Sequence, residues 1–108
     1  MNKRIQRKRT KGWRIPENCI YIGRPTKWGN PYKLNEDGTR EEVLQKYRNY
    51  LEVVLLYNPH FLDELKGKDI CCWCPIFKNN KYYNCHGDII LEFLNKDNHR
   101  IDEYVVQN

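Results

Sequence analysis

The sequence predicts a small Rossmann-like α/β domain, with a short parallel sheet and flanking helices, and three observations carry that expectation. A strand-forming stretch, Cys19-Ile20-Tyr21-Ile22, precedes a helical pattern, and a second strand-like stretch, Asp69 to Cys74, precedes another helical pattern beginning near Ile89. The order strand, helix, strand, helix favours parallel strands joined by a right-handed crossover. At 108 residues the chain has the length of a single domain, 1–108, with a basic N-terminal arm over 1–14 and a C-terminal tail over 96–108 of unassigned form.

The arm comes first and carries Lys3, Arg4, Arg7, Lys8, Arg9, Lys11 and Arg14. Two readings stay open for it: a solvated charge run, or a phosphate-contacting arm using Arg7, Arg9, Lys11 and Arg14. Trp13 favours order at its end, because an indole there packs on the domain or stacks on a base. Pro16-Glu17-Asn18 reads as a turn into the first strand, Cys19 to Ile22, which stops at Gly23.

The loop Gly23-Arg24-Pro25-Thr26-Lys27-Trp28-Gly29-Asn30-Pro31 then follows the carboxyl end of that strand, where open α/β sheets bind ligands. Gly23 and Gly29 allow close backbone approach to a phosphate, Arg24 and Lys27 supply charge, Trp28 offers a flat face and Asn30 an orienting amide. A purely structural loop, with Trp28 plugging the core, has equal standing. The lysine and hydroxyl spacing of a P-loop is absent.

Thr39-Arg40-Glu41-Glu42 matches a capping box and predicts a helix start. Val43, Leu44, Tyr47, Leu51, Val54 and Leu55 then recur on one face, as a scaffold helix requires. Asn58-Pro59 ends it and begins a short second helix closed by Gly67, in which His60 reads as a surface residue. The second strand, Asp69 to Cys74, is stopped by Pro75. Asn84 is the expected N-cap of the last helix, whose apolar face is Ile89, Ile90, Phe93 and Leu94. In the tail, Tyr104-Val105-Val106 fits an edge strand or an extended arm.

Four of the five cysteines and one histidine fall between Cys71 and Asp88. Alternation along a strand turns Cys72 and Cys74 to one face and Cys71 and Trp73 to the other. If the intervening loop folds back, Cys85 and His86 join Cys72 and Cys74 in a set that suits tetrahedral zinc. The single-residue spacing of Cys72 and Cys74 counts against that set. A second reading makes Cys85 a thiolate activated at a helix N-terminus, with His86 and Asp88 as base and orienter. The third is packing, since free cysteine is among the most buried residue types.

A net charge of +5 and a pI near 9.0 favour anionic partners such as nucleotides or nucleic acid. The N-terminus lacks the apolar stretch of a signal peptide, and the longest aliphatic run, Val53 to Leu56, is too short to span a bilayer. The expectation is therefore a cytoplasmic chain with reduced thiols and no membrane partner.

Arg4-Ile5-Gln6-Arg7, Thr10-Lys11-Gly12-Trp13-Arg14, Tyr21-Ile22-Gly23-Arg24-Pro25, Lys27-Trp28-Gly29-Asn30-Pro31, Gly67-Lys68, Cys72-Trp73-Cys74-Pro75 and Cys85-His86-Gly87-Asp88 together resemble the motifs of the domain of unknown function 4326, found in bacteria and their viruses. The resemblance covers about residues 4 to 95 and implies that the basic arm belongs to the domain. It implies a bacterial or phage source, hence host cytoplasm if viral, and no particular activity.

The functional expectation is a phosphate-bearing nucleotide or nucleotide-sugar ligand, held where the Gly23 to Pro31 loop meets the Cys85 to Asp88 helix start. Were the chain an enzyme, His86 or Asp88 would be its acid or base, and an N-glycosidic or phosphate centre its target. The alternatives are a nucleic-acid-binding module, with or without zinc, and a viral protein that sequesters a host nucleotide signal without chemistry. A homodimer that completes the pocket is a further expectation.

Overall fold

Three parallel strands form the sheet: β1 (Arg4–Gln6), β2 (Cys19–Tyr21) and β3 (Asp69–Cys72), in the spatial order β1-β3-β2. The computed structural model describes residues 2–95, so Tyr104-Val105-Val106 and the rest of the tail lie outside the described residues. Arg4 lies opposite Ile70, and Ile20 faces the same residue from the other side. β3 is thus the central strand, and its Ile70, Cys71 and Cys72 are all buried.

The first strand lies in the basic arm, which corrects the reading of that segment as a solvated charge run and agrees with the arm belonging to the domain. Ile5 pairs with Cys71, and the arm is fastened further by Arg7 N–H donating to Cys72 O at 2.6 Å. The expected second strand ends at Cys72 rather than Cys74. That early stop matters, because Cys74 is then released from the pleat.

Helix α1 (Arg40–Tyr57) begins with the expected capping box, the Thr39 and Glu42 side chains each bonding the other's backbone N–H. Its face of Val43, Tyr47 and Leu51 is buried. The expected second helix after Pro59 is a single 3-10 turn, Asp63–Leu65, which seats Leu62 and Leu65 in the core. His60 is exposed and bonds Asp63 at 2.7 Å, as a surface residue does.

A hairpin of β4 (Phe77–Lys78) and β5 (Lys81–Tyr82) fills the span between Cys74 and Cys85. Its turn residues Asn79 and Asn80 both have positive φ, 54° and 65°, which asparagine tolerates and a two-residue hairpin turn requires. The last helix, α2, is described over residues 86–95 and buries Ile89, Ile90 and Leu94 against the sheet. Arg48 and Glu92 form an ion pair that ties α1 to α2. Among the described residues, no helix is long and apolar enough to cross a membrane.

Candidate functional site

Because the strands run parallel, their carboxyl ends share one edge of the sheet, and a cleft of about 280 Å³ opens there. β2 leads into Gly23 and Arg24, β3 leads into Trp73 and Cys74, and His86 comes from the start of α2. A larger groove of about 380 Å³ runs between α1 and α2, lined by Glu41, Gln45, Arg48 and Glu92 among others. It lies between the helices rather than at the strand ends, and its Arg48 is paired with Glu92, so the smaller cleft is the better candidate.

Beside the cleft lies Arg4, a buried cation that the sequence reading passed over as one of a charge run. It is 7% exposed and saturated with partners. Its Nη1 donates to Cys72 Sγ at 3.5 Å and Cys74 O at 3.2 Å, its Nη2 to Pro75 O at 3.2 Å and Tyr83 O at 2.6 Å, and its Nε to Asp88 Oδ1 at 3.3 Å. Burial works against the charged guanidinium, but Cys85, Cys72 and Asp88 more than offset it and raise its pKa above the ordinary arginine value. Gly87 makes room for this side chain: a Cβ there would sit 2.9 Å from Arg4 Cδ. Arginine is the suitable cation here, since its planar fork reaches five acceptors at fixed angles.

Three thiols gather against that guanidinium. The sulfurs of Cys72, Cys74 and Cys85 lie within 4.8 Å of one another, and Cys72 and Cys85 are 3.5 Å apart. Contacts with the Cys74 and Cys85 thiols hold the Cys72 pKa far below the usual thiol value; burial opposes this and Arg4 reinforces it. The same contacts with Cys72 push Cys74 and Cys85 upward. Cys72 is therefore the sulfur on which the contacts of its neighbouring thiols and the guanidinium converge.

His86 does not join the cluster, which corrects the expected four-ligand set of Cys72, Cys74, Cys85 and His86. Its Nε2–H donates to Ile22 O at 2.9 Å, and its ring packs edge-on against Tyr47. Burial lowers its pKa, partly offset by that hydrogen bond, so the imidazole is neutral with Nδ1 as its unprotonated nitrogen. The expected Cys85, His86, Asp88 triad is not assembled either. Asp88 accepts from Arg4, from the Tyr82 hydroxyl and, at 2.8 Å, from Cys85 N–H. It works as a capping group: Cys85, not Asn84, is the N-cap of α2, with its Sγ accepting from Gly87 N–H at 3.3 Å.

The Gly23 to Pro31 loop divides between the two roles set out for it. Trp28 is buried in the core, its Nε1 donating to Phe61 O at 3.0 Å and its carbonyl accepting from Tyr47 Oη at 2.6 Å, so it is not available to stack on a base. Lys27 turns away to Glu64, at 2.7 Å. Gly29 is needed because a Cβ would meet Arg24 N at 2.9 Å as the loop doubles back. Asn30 lines the cleft, but its amide is spent on the fold, donating to Val43 O and accepting from Tyr32 N–H. Gly23 and Arg24 remain in the cleft wall.

The aromatic faces at the cleft are instead Tyr21 and Trp73, the latter 39% exposed. Arg7 lies 4.8 Å from the centroid of each ring, and Arg9 lies 4.6 Å from that of Trp73. Lys11 and Arg14 are exposed farther along the arm. A strand-end tryptophan beside a proline stop was the sequence signal for this face. For Arg4 the sequence held no local signal, since its partners lie 68 to 84 residues away.

A three-stranded parallel α/β domain with a thiol-lined cleft at its strand ends is the class that the fold and this site define. The chain belongs to the family described as Domain of unknown function (DUF4326), which it matches over residues 5–96. It is similar to an uncharacterized protein of Acanthamoeba polyphaga mimivirus, 35% identical over 91 aligned residues that cover 72% of this chain and 68% of the relative. No solved structure matches it.

Proposed function

We propose that the cleft binds a phosphate-bearing ligand of the nucleotide or nucleotide-sugar class. The observation that carries this reading is the convergence of Arg7, Arg9 and Arg24 around the Tyr21 and Trp73 rings at the carboxyl ends of parallel strands. Guanidinium groups favour phosphate because their forked donors match its oxygens, and an exposed indole offers a base a stacking face. In this reading the sheet is used in the Rossmann-like manner, with the ligand outside the strand ends. A cleft of about 280 Å³ sits at the lower end of ligand-site volumes and suits one nucleotide rather than a dinucleotide.

Arg24 and the arm guanidiniums hold phosphate, and Trp73 takes the stacking role first assigned to Trp28. If turnover follows binding, neutral His86 is the group to accept a proton at an N-glycosidic or phosphate centre. Calorimetry against a panel of mono- and dinucleotides and nucleotide sugars at low salt tests the proposal. Saturable binding with micromolar affinity, weakened by Trp73→Ala and by Arg24→Gln, supports it. The absence of both binding and turnover across the panel would sink it. Binding confined to single-stranded oligonucleotides, falling steeply with salt, would favour the nucleic-acid module instead.

A further inference from the structure

We propose that Cys72, Cys74 and Cys85 form a three-sulfur site for a thiolate-binding metal ion of the zinc class, with its fourth coordination position open to the cleft. The inference stands on the sulfur geometry and holds whatever the cleft binds.

Metal–sulfur bonds of about 2.3 Å in a tetrahedron place neighbouring sulfurs about 3.8 Å apart. The three sulfurs here span separations up to 4.8 Å, with Cys72 and Cys85 at 3.5 Å, so adjustments of about an ångström bring all three onto one ion. The spacing objection of one residue between Cys72 and Cys74 falls away, because β3 ends at Cys72 and Cys74 follows in a bend. The β4–β5 hairpin does the rest by returning the chain to Cys85.

Charge also closes. Three thiolates around a divalent ion leave one negative charge, and the Arg4 guanidinium 3.5 Å from Cys72 Sγ supplies the matching positive one. Binding would release the thiol protons to solvent, with no change in oxidation state.

A fourth protein ligand is lacking among the described neighbours. Among the described residues, neither ring nitrogen of His86 nor any carboxylate oxygen joins the three sulfurs, His86 Nε2 being held by Ile22 O and Asp88 by Arg4 and Tyr82, and the carbonyls of Cys74, Pro75 and Tyr83 are taken by Arg4. Structural zinc sites are closed by four protein ligands, whereas sites that act on a bound molecule keep a position open. Cys72 and Cys74 line the cleft and Cys85 lines the groove between α1 and α2, and the cleft, which two of the three sulfurs reach, is the side assigned to the open position.

The test uses the full chain, purified under reducing conditions, stripped of metal and titrated with cobalt(II). The expected result is about one ion per chain, with thiolate-to-cobalt charge-transfer absorption and the intense visible bands of four-coordinate cobalt. Cys74→Ser, the least buried of the three, should weaken uptake by about tenfold or more, while Cys19→Ser leaves it unchanged. Adding imidazole or inorganic phosphate should shift the visible bands by occupying the open position. A folded wild-type chain, checked by circular dichroism, that leaves cobalt with its six-coordinate aqueous spectrum overturns the site. Equal loss in Cys19→Ser and Cys74→Ser also overturns it. Visible bands unmoved by both added ligands overturn the open position.

Discussion

Cys71 and Cys72 are neighbours on the central strand, 0% and 1% exposed, yet their thiols belong to different chemistries. Cys71 faces Cys19, and burial pushes its pKa up to about 11, as Cys19 is likewise raised by burial. Cys72 faces Cys74, Cys85 and Arg4, and is driven the other way. Burial alone makes a thiol inert. The same burial beside a fixed cation and two further thiols is outweighed, and the pKa falls instead. The pleat of β3, by turning adjacent side chains to opposite faces, separates these outcomes within one residue.

The largest effect should come from removing the cation. Arg4→Met removes the cation beside Asp88 and the donor to three chain carbonyls, and should lower unfolding free energy by about 3–5 kcal/mol in urea titration. If stability is unchanged, Arg4 does not set the difference between the two faces. Gly87→Ala keeps the charge but crowds Arg4 Cδ, and should cost about 1–3 kcal/mol by the same measurement.

Alkaline titration approaches the comparison from the other face. Cys71 has a folded pKa above its unfolded value, so its contribution is complete below the unfolded thiol pKa of about 8.5 and is lost as pH rises towards about 11. Cys72 runs in reverse: its pKa is depressed, so its contribution is complete above that unfolded value and declines as pH falls. The loss of stability between pH 8 and 11 should therefore shrink by about 1–2 kcal/mol in Cys71→Ala. Equal pH profiles for Cys71→Ala and wild type would refute the assignment. The smallest effect belongs to an exposed cation: Lys27→Ala breaks the solvent-facing pair with Glu64 and the contacts with the Trp28 and Phe61 rings, and should change stability by less than about 1 kcal/mol.

Local signals were the ones the sequence carried openly. The Thr39 capping box and the periodic face of α1 concern neighbours within four residues, and both appear in the structure where expected. The meeting of the Gly23 loop with the α2 start was also legible, because parallel strands must end on one edge. The asparagine pair at 79–80, between Phe77-Lys78 and Lys81-Tyr82, held a hairpin signal that went unused. Arg4 was hidden for a different reason. Nothing within five residues distinguishes it from Arg7 or Arg9, and only partners 68 to 84 residues away make it the buried cation. Trp28 shows the same limit, since an indole in a glycine-rich loop reads equally as plug or platform until Phe61 and Tyr47 are in place.

The placement of β3 between β1 and β2 also orders events in time. Both edge strands are synthesised before the strand that joins them, so neither gains its ladder until residues 69–72 emerge. Arg4 waits longer still, for Tyr83 and Asp88. A ribosome-bound chain truncated before β3 would carry α1 but no sheet, leaving the cation with neither sulfur nor carboxylate to meet. Assembly of the sheet therefore waits on β3 and that of the Arg4 network on α2, so β1, the first of the three strands in the sequence, is among the last elements to find its partners.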